Sequence, residues 1–474
     1  MKIGHFGAIM IPALIFLFSG CNESTTAPEV KEEKRPSAQN LSFLNIVDAK
    51  ALVIENIGPE GIPKSAAGSA DSLITGDTRV SRLYKINEEN VYEEVTNFRV
   101  DTLLIDEGDS IRIELDTVEQ TTSFSPRVIL NAGPDFIYAS FLRSDDSGKE
   151  YDYLVRKSDG AVFQTFMHAV GPDANTYGSL GYDLFQHDEN GNLYINSFGR
   201  AVIQKVNVEN PEALSQENLT SELEQVHGFI VNKKGHILYK FMTPPISSSD
   251  SPGFKIRYAD GGLRYIDKAS GFTTAYWKGF DDCFYYNYMG GNDPNNFDIQ
   301  IIRKITITGN QAVETDTDTL TNKPGQIAVV EASVGGTRFD LPELNKIFFV
   351  DSKSITEVFN NDDSLKCFST EDLGINSIKL YAASDRYYYL AGLMNTQPVL
   401  LKVDPSVFPH TATQLASPGE YDFYKFVVSK DDNITFNALR MSDGKLVLGS
   451  VSPAGVFSIQ QIVEQQVTQL IRIQ

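Results

Sequence analysis

One pattern recurs along this chain from about residue 127 onward and restricts the fold more than any other feature: a β-rich run, a tight polar turn, then a second β-rich run led by Ile, Leu, Tyr or Phe. Seven turns of this kind align. Gly133-Pro134-Asp135 stands before Phe136-Ile137-Tyr138, Asp188 to Asn192 before Leu193-Tyr194-Ile195, Lys233-Lys234-Gly235 before Ile237-Leu238-Tyr239, and Asp281-Asp282 before Phe284-Tyr285-Tyr286. Leu344-Asn345-Lys346, Ser384-Asp385-Arg386 and Lys430 to Asn433 lead the last three in the same way. Asn190-Gly191 supplies the positive backbone angles that a tight hairpin turn requires. A further strand follows each hairpin, often with a Lys-aliphatic pair, as in Leu154-Val155-Arg156-Lys157, Ile203-Gln204-Lys205-Val206, Ile302-Arg303-Lys304-Ile305 and Leu401-Lys402-Val403.

The turns recur roughly every 40–60 residues, and a period of that length with about four strands is that of a propeller blade. A lone four-stranded sheet leaves both faces wet. Sheets stacked around an axis cover each other and leave only short edges. The expected fold is therefore all-β, a single β-propeller of four-stranded blades over residues 41–474. Leu83-Tyr84-Lys85-Ile86 and Val91 to Val95 look like the outer part of a unit, and Val467 to Ile473 alternates after the last complete one. The two termini are thus expected to share a blade, with seven blades favoured on base rate and eight as the other count. The best helical stretch, around Glu212 to Gln225, is short and lies between units. The competing arrangement is a pair of β-sandwiches divided near Pro324-Gly325.

The amino terminus reads as an address. Lys2, the apolar run from Ala8 to Phe18, and the small residues Ser19 and Gly20 before Cys21 follow the order of a secretory signal. That run is shorter than the ~18 residues of a membrane-spanning helix, so no transmembrane span is expected. Residues 22–40 are polar, with Glu, Lys, Ser, Thr and Pro, and read as a tether whose flexible span is roughly 25 Å.

Leu17-Phe18-Ser19-Gly20-Cys21 resembles the lipobox of bacterial lipoproteins, with Phe18 where that family prefers Leu, Val or Ile. The resemblance implies a signal peptide over 1–20, cleavage before Cys21, and attachment of Cys21 to membrane lipid through acyl chains. Asn22 replaces the Asp that the family's sorting rules associate with inner-membrane retention, which implies the outer membrane. Leu154-Val155-Arg156-Lys157-Ser158-Asp159-Gly160 and Asn190-Gly191-Asn192-Leu193-Tyr194-Ile195 likewise resemble segments of uncharacterised propeller lipoproteins of Gram-negative envelopes. With one tryptophan, Trp277, the chain cannot carry a Trp-Asp pair in each blade.

Composition bears on partners. The 62 acidic against 41 basic residues give a net charge of −21, which repels nucleic acid and bare anionic lipid. Chemistry is scarce. The chain has no nucleophile elbow, phosphate loop, dinucleotide fingerprint or zinc-ligand spacing, so no cofactor or metal is expected. The acidic stretch Asp188 to Gly191 reads as a hairpin turn, being too short for a calcium loop. Cys283 and Cys367 are compatible with a disulfide in an oxidising envelope, although a small buried hydrophobe is the simpler role for each. The aromatic group Tyr276, Trp277, Tyr286 and Tyr288, with Asn292 and Asp293 in the following loop, is the expected ligand-binding surface, since flat rings beside amides and carboxylates suit sugars or protein anchors. Most such rings pack between blades. The loops 171–181 and 244–253 are further binding-face candidates. The function expected is non-catalytic recognition of an envelope protein or glycan. The alternative is a carbohydrate hydrolase or lyase with two carboxylates at the propeller mouth.

Overall fold

The computed structural model describes the strands and tight turns between Ile46 and Arg472. Residues 1–45 and 473–474 lie outside that description, as do 47–48, 58–79, 88, 90, 96–101, 107–110, 116–123, 144–149, 166–184, 198–201, 207–215, 221–224, 243–252, 267–275, 290–298, 322–336, 351–353, 360–365 and 464–466.

Eight four-stranded antiparallel sheets follow one another along the described chain, with a small two-stranded hairpin, Thr102–Asp106 with Ile111–Leu115, between the first and second. Each of the seven turns read from the sequence joins the first strand of a sheet to its second. Blade 2, for instance, runs Phe124–Ala132, Phe136–Arg143, Glu150–Arg156 and Val162–Thr165 in spatial order, and blades 3 to 8 repeat this order. The Lys-aliphatic runs are the third strands. The turn at Asp188 uses Gly191 at φ 77°, a left-handed conformation that costs a glycine little.

Blade 1 is the shared one. The carboxy-terminal Val467–Arg472 is its inner strand, and Ala49–Ile57, Val80–Asn87 and Tyr92–Glu94 complete it outward. Leu83 to Ile86 and Val91 to Val95 therefore lie in the outer half of a blade, as expected, and the blade number is eight, the larger of the two counts.

Packing explains why the ring closes. Buried side chains fall into eight apolar clusters, and each sits at one seam between neighbouring blades. Ile54 and Leu83 of blade 1 meet Ile129, Ile137 and Phe141 of blade 2, while Leu448 of blade 8 meets Val53, Ile86 and Val467 of blade 1 on the other side. Alternation along a strand sends successive side chains to opposite faces, and both faces of every blade are covered. A fully buried aliphatic or aromatic side chain contributes ~1.5–3 kcal/mol, so each seam is a core in its own right.

Two expectations are corrected. Within Glu212 to Gln225 the described residues are strand, Gln216–Asn218 and the start of Gln225–Val231, because Thr220 and the flanking apolar residues serve blade seams rather than a helical face. The division near Pro324-Gly325 is not a domain boundary. Gln311–Thr321 before it and Thr337–Leu341 after it are the outer strand of blade 5 and the inner strand of blade 6, and Trp277, Tyr285 and Ile302 of blade 5 pack on Ile347, Phe349 and Phe359 of blade 6.

Candidate functional site

Antiparallel order gives the propeller two unlike rims. First-to-second and third-to-fourth connections leave from one rim, whereas second-to-third and blade-to-blade connections leave from the other. On the first rim several short described turns are tied to each other, while blade 3 has the longer connection 207–215 there. Glu189 donates its amide to Lys233 O at 2.9 Å and Lys233 donates its own to Asp282 Oδ1 at 2.7 Å, linking blades 3, 4 and 5. Glu343 N donates to Asp385 O at 3.1 Å between blades 6 and 7, and Tyr389 Oη to Asp432 Oδ1 at 3.0 Å between blades 7 and 8.

Two carboxylates on this rim, Asp188 and Asp281, are already engaged. Asp188, 5% exposed, accepts from the amides of Asn190 and Asn192 at 2.9 and 3.0 Å on one oxygen, and from Asn192 Nδ2 and Tyr194 Oη at 2.7 and 2.9 Å on the other. That is an Asx turn with its lone pairs filled. Asp281 repeats the scheme with the amide of Cys283, Tyr285 Oη and Lys304 Nζ. Among the described residues, no three His, Cys, Asp or Glu side chains converge on a metal position.

Among the described residues, a buried carboxylate network joins blades 6 and 7, while Asp152, 1% exposed, accepts from Tyr138 Oη at 2.7 Å within blade 2. Glu357 is 0% exposed, with Lys346 Nζ 3.2 Å from Oε2, Lys366 Nζ 3.8 Å from Oε1 and His410 Nε2 3.6 Å from Oε2. Lys346 also donates to Pro405 O at 2.8 Å, and Tyr388 Oη lies 2.9 Å from His410 Nδ1. Burial pushes the His410 imidazole below its ordinary pKa, against the pull of Glu357. Phe348, Phe368, Phe408 and Tyr388 ring the imidazole. This network staples two blades. It was missed in the sequence because Lys346, Glu357, Lys366, Tyr388 and His410 come from separate strands and a turn.

The rings expected to bind ligand are divided between two seams. Tyr276 and Tyr286, 8% and 0% exposed, face blade 4 against Phe254, whereas Trp277, 0% exposed, faces blade 6 and stacks on Tyr285 with centroids 5.7 Å apart. Neighbours on a strand point opposite ways, so closeness in sequence did not make one surface. Tyr286 donates to Glu314 at 3.0 Å, and this burial raises its phenol far above the usual range. Tyr288 lies on the strand Phe284–Met289, paired with Ile301. Cys21, Asn292, Asp293 and the loop 171–181 lie outside the described residues, as does 244–252. Cys283 and Cys367, in blades 5 and 6 respectively, are not joined in a disulfide, and each lies beside a threonine hydroxyl, Thr306 and Thr356.

The second rim takes the long connections. Residues 166–184, 243–252, 267–275, 290–298 and 322–336 all join strands there, while the first rim is spanned by turns such as 133–135 and 309–310. Loops carried on a rigid scaffold are where binding groups concentrate, so this rim is the candidate functional surface.

Fold and rims together define a closed eight-bladed β-propeller. No family model and no curated protein matches the chain. Solved structures similar to it include a puromycin-hydrolyzing peptidase of Mycobacterium tuberculosis, at 11% identity and TM-score 0.41 over 72% of this chain and 53% of that one. The propeller domain of the Trilobed protease from Pyrococcus furiosus matches at 9% identity and TM-score 0.40, over 71% of this chain and 98% of that domain. A putative 6-phosphogluconolactonase of Bacteroides fragilis matches at 9% identity and TM-score 0.34, over 90% and 98% of the two chains. The chain spans about half the length of the peptidase, and at these identities the likeness concerns the fold alone.

Proposed function

We propose that this protein is a lipid-anchored recognition or scaffold propeller of the bacterial outer membrane, held by acyl chains on Cys21 and binding an envelope protein or glycan through its long-loop rim. The difference between the rims supports this reading most: one rim is locked by turn-to-turn hydrogen bonds, and the other carries connections as long as 166–184 and 322–336. The signal-like segment before Cys21 supports the anchor. Among the described residues, no helix is long and apolar enough to cross a membrane, so attachment by lipid fits the chain.

Two measurements separate the parts of the proposal. Cys21→Ser is expected to move the protein from the membrane pellet to the soluble fraction, and retention in the pellet would refute the anchor. Replacing 322–336 by a short Gly-Ser linker is expected to reduce partner or glycan capture from native envelopes at least tenfold with the melting temperature unchanged. Undiminished capture after the same treatment of 166–184 as well would refute the rim. Turnover of an envelope polysaccharide that two carboxylate substitutions abolish would favour the hydrolase or lyase alternative instead.

A further inference from the structure

Charge is sorted radially in this molecule. Although acidic residues outnumber basic ones 62 to 41 overall, the eight inner strands carry Arg127, Lys278, Arg338, Lys379, Lys425 and Arg472 against only Asp340 and Asp422. The outer strands show the reverse, with Glu93, Glu94, Glu217, Glu314, Asp316 and Asp318 against Arg264 and Lys366. A negative envelope around a basic axis focuses field lines on the axis.

Backbone register brings Arg338, Lys379 and Lys425 of blades 6, 7 and 8 to nearly the same height on their strands. Among the described residues, five inner strands have one residue lifted out of the ladder with the second strand: Arg127, His227, Lys379, Tyr424 and Thr468. Arg338 and Lys425 fall at the same level of their strands, shortly before the turn. A bulge interrupts pairing and re-aims a side chain, and bulges gather beside functional sites. Each inner strand is paired on one side only, so its other edge presents backbone amides to the axis.

Two of these three cations meet a carboxylate on an inner strand. Lys379, 42% exposed, reaches across the seam to Asp422 at 2.9 Å. Arg338 donates through Nε to Asp340 at 2.7 Å and through Nη2 to Lys278 O at 3.3 Å. Lys425 is half-buried and, among the described residues, has no hydrogen-bond or ion-pair partner, and its burial lowers the ammonium pKa. A half-buried cation without a counter-ion costs free energy that a bound anion returns.

We propose that the propeller axis at this level is a binding site for a small, multiply charged oxyanion, a polycarboxylate or a phosphate compound, held by Arg338, Lys379 and Lys425. The site is independent of the lipid anchor and of the partner on the loop rim.

Titration calorimetry of the whole mature protein with citrate and with pyrophosphate tests it, the two arms telling carboxylate from phosphate. Saturable one-to-one binding of at least one of them is expected at low ionic strength, weakening as salt screens the charges. Lys425→Gln and Lys379→Gln are each expected to weaken it tenfold or more, with Lys425→Arg retaining it and Lys445→Gln, exposed at the start of the third strand of blade 8, leaving it unchanged. No saturable binding of either anion would overturn the site. So would binding that both glutamine variants leave less than tenfold weaker while the Lys425→Arg protein shows the fold intact.

Discussion

Ending the chain after Val463 is expected to abolish cooperative folding. The segment removed contains Val467–Arg472, which pairs with Ala51 to Glu55 and supplies the whole inner strand of blade 1. It also ties the two neighbours: Gln469 brackets Ile129 of blade 2 with bonds to its amide and carbonyl, and Arg472 Nη1 donates to Val428 O of blade 8 at 2.8 Å. Burial of Val467 and Leu470, 1% and 8% exposed, contributes roughly 3–6 kcal/mol by itself. Their loss also uncovers Val53, Ile86 and Leu448 at the seam. Against total stabilities of ~5–15 kcal/mol, that deficit is not survivable. Calorimetry and limited proteolysis check it, and a sharp transition near the wild-type temperature would refute closure by this strand. A circular permutant that joins the end of the chain to Ile46 and opens at the Asn395-Thr396 turn is expected to fold, because Arg472 and Ala51 already pair.

Glu357→Gln is expected to cost ~3–5 kcal/mol, the range for breaking a buried ion pair from one side. The substitution leaves the Lys346 ammonium, 14% exposed in its side chain, beside a neutral amide and the Pro405 carbonyl with no opposite charge, and deprives His410 of its nearest carboxylate. A urea midpoint unchanged from wild type would refute the staple. The same network makes stability depend on pH. His410 sits below its ordinary pKa because burial outweighs Glu357, with Lys346 opposing protonation and Asp404 favouring it. A histidine depressed in the folded state is protonated more readily in the unfolded one. Its contribution is complete above the unfolded value of ~6.5 and is lost as pH falls below it. His236, depressed by burial and by Lys234, acts in the same direction. The melting temperature is therefore expected to fall between pH 7 and pH 5, less steeply in His410→Gln, and equal slopes would refute the role of His410.

The repeat was legible because its cause is local. A turn such as Asp188 to Asn192 is set by an Asx side chain and a glycine, and alternation in Phe136-Ile137-Tyr138 follows from strands that bury both faces. Third strands were recognised at four Lys-aliphatic pairs, but Gly253–Arg257, with Lys255-Ile256, was not among them. Ser354–Phe359 was passed over because its polar residues, Thr356 and Glu357, are buried ones and break the pattern. The aromatic surface around Tyr276 and Trp277 was read from proximity in sequence, which does not decide which seam a ring enters.

By itself, then, the sequence determined the all-β class, the seven hairpins and the pairing of both termini in one blade, since turn chemistry and period-two alternation act within a few residues. Only the tertiary structure decided that there are eight blades, that Tyr276 and Trp277 part to opposite seams, and that Glu357 meets Lys346 and His410. Those relations join residues tens to hundreds of positions apart, and ring closure, which no local interaction encodes, brings them together.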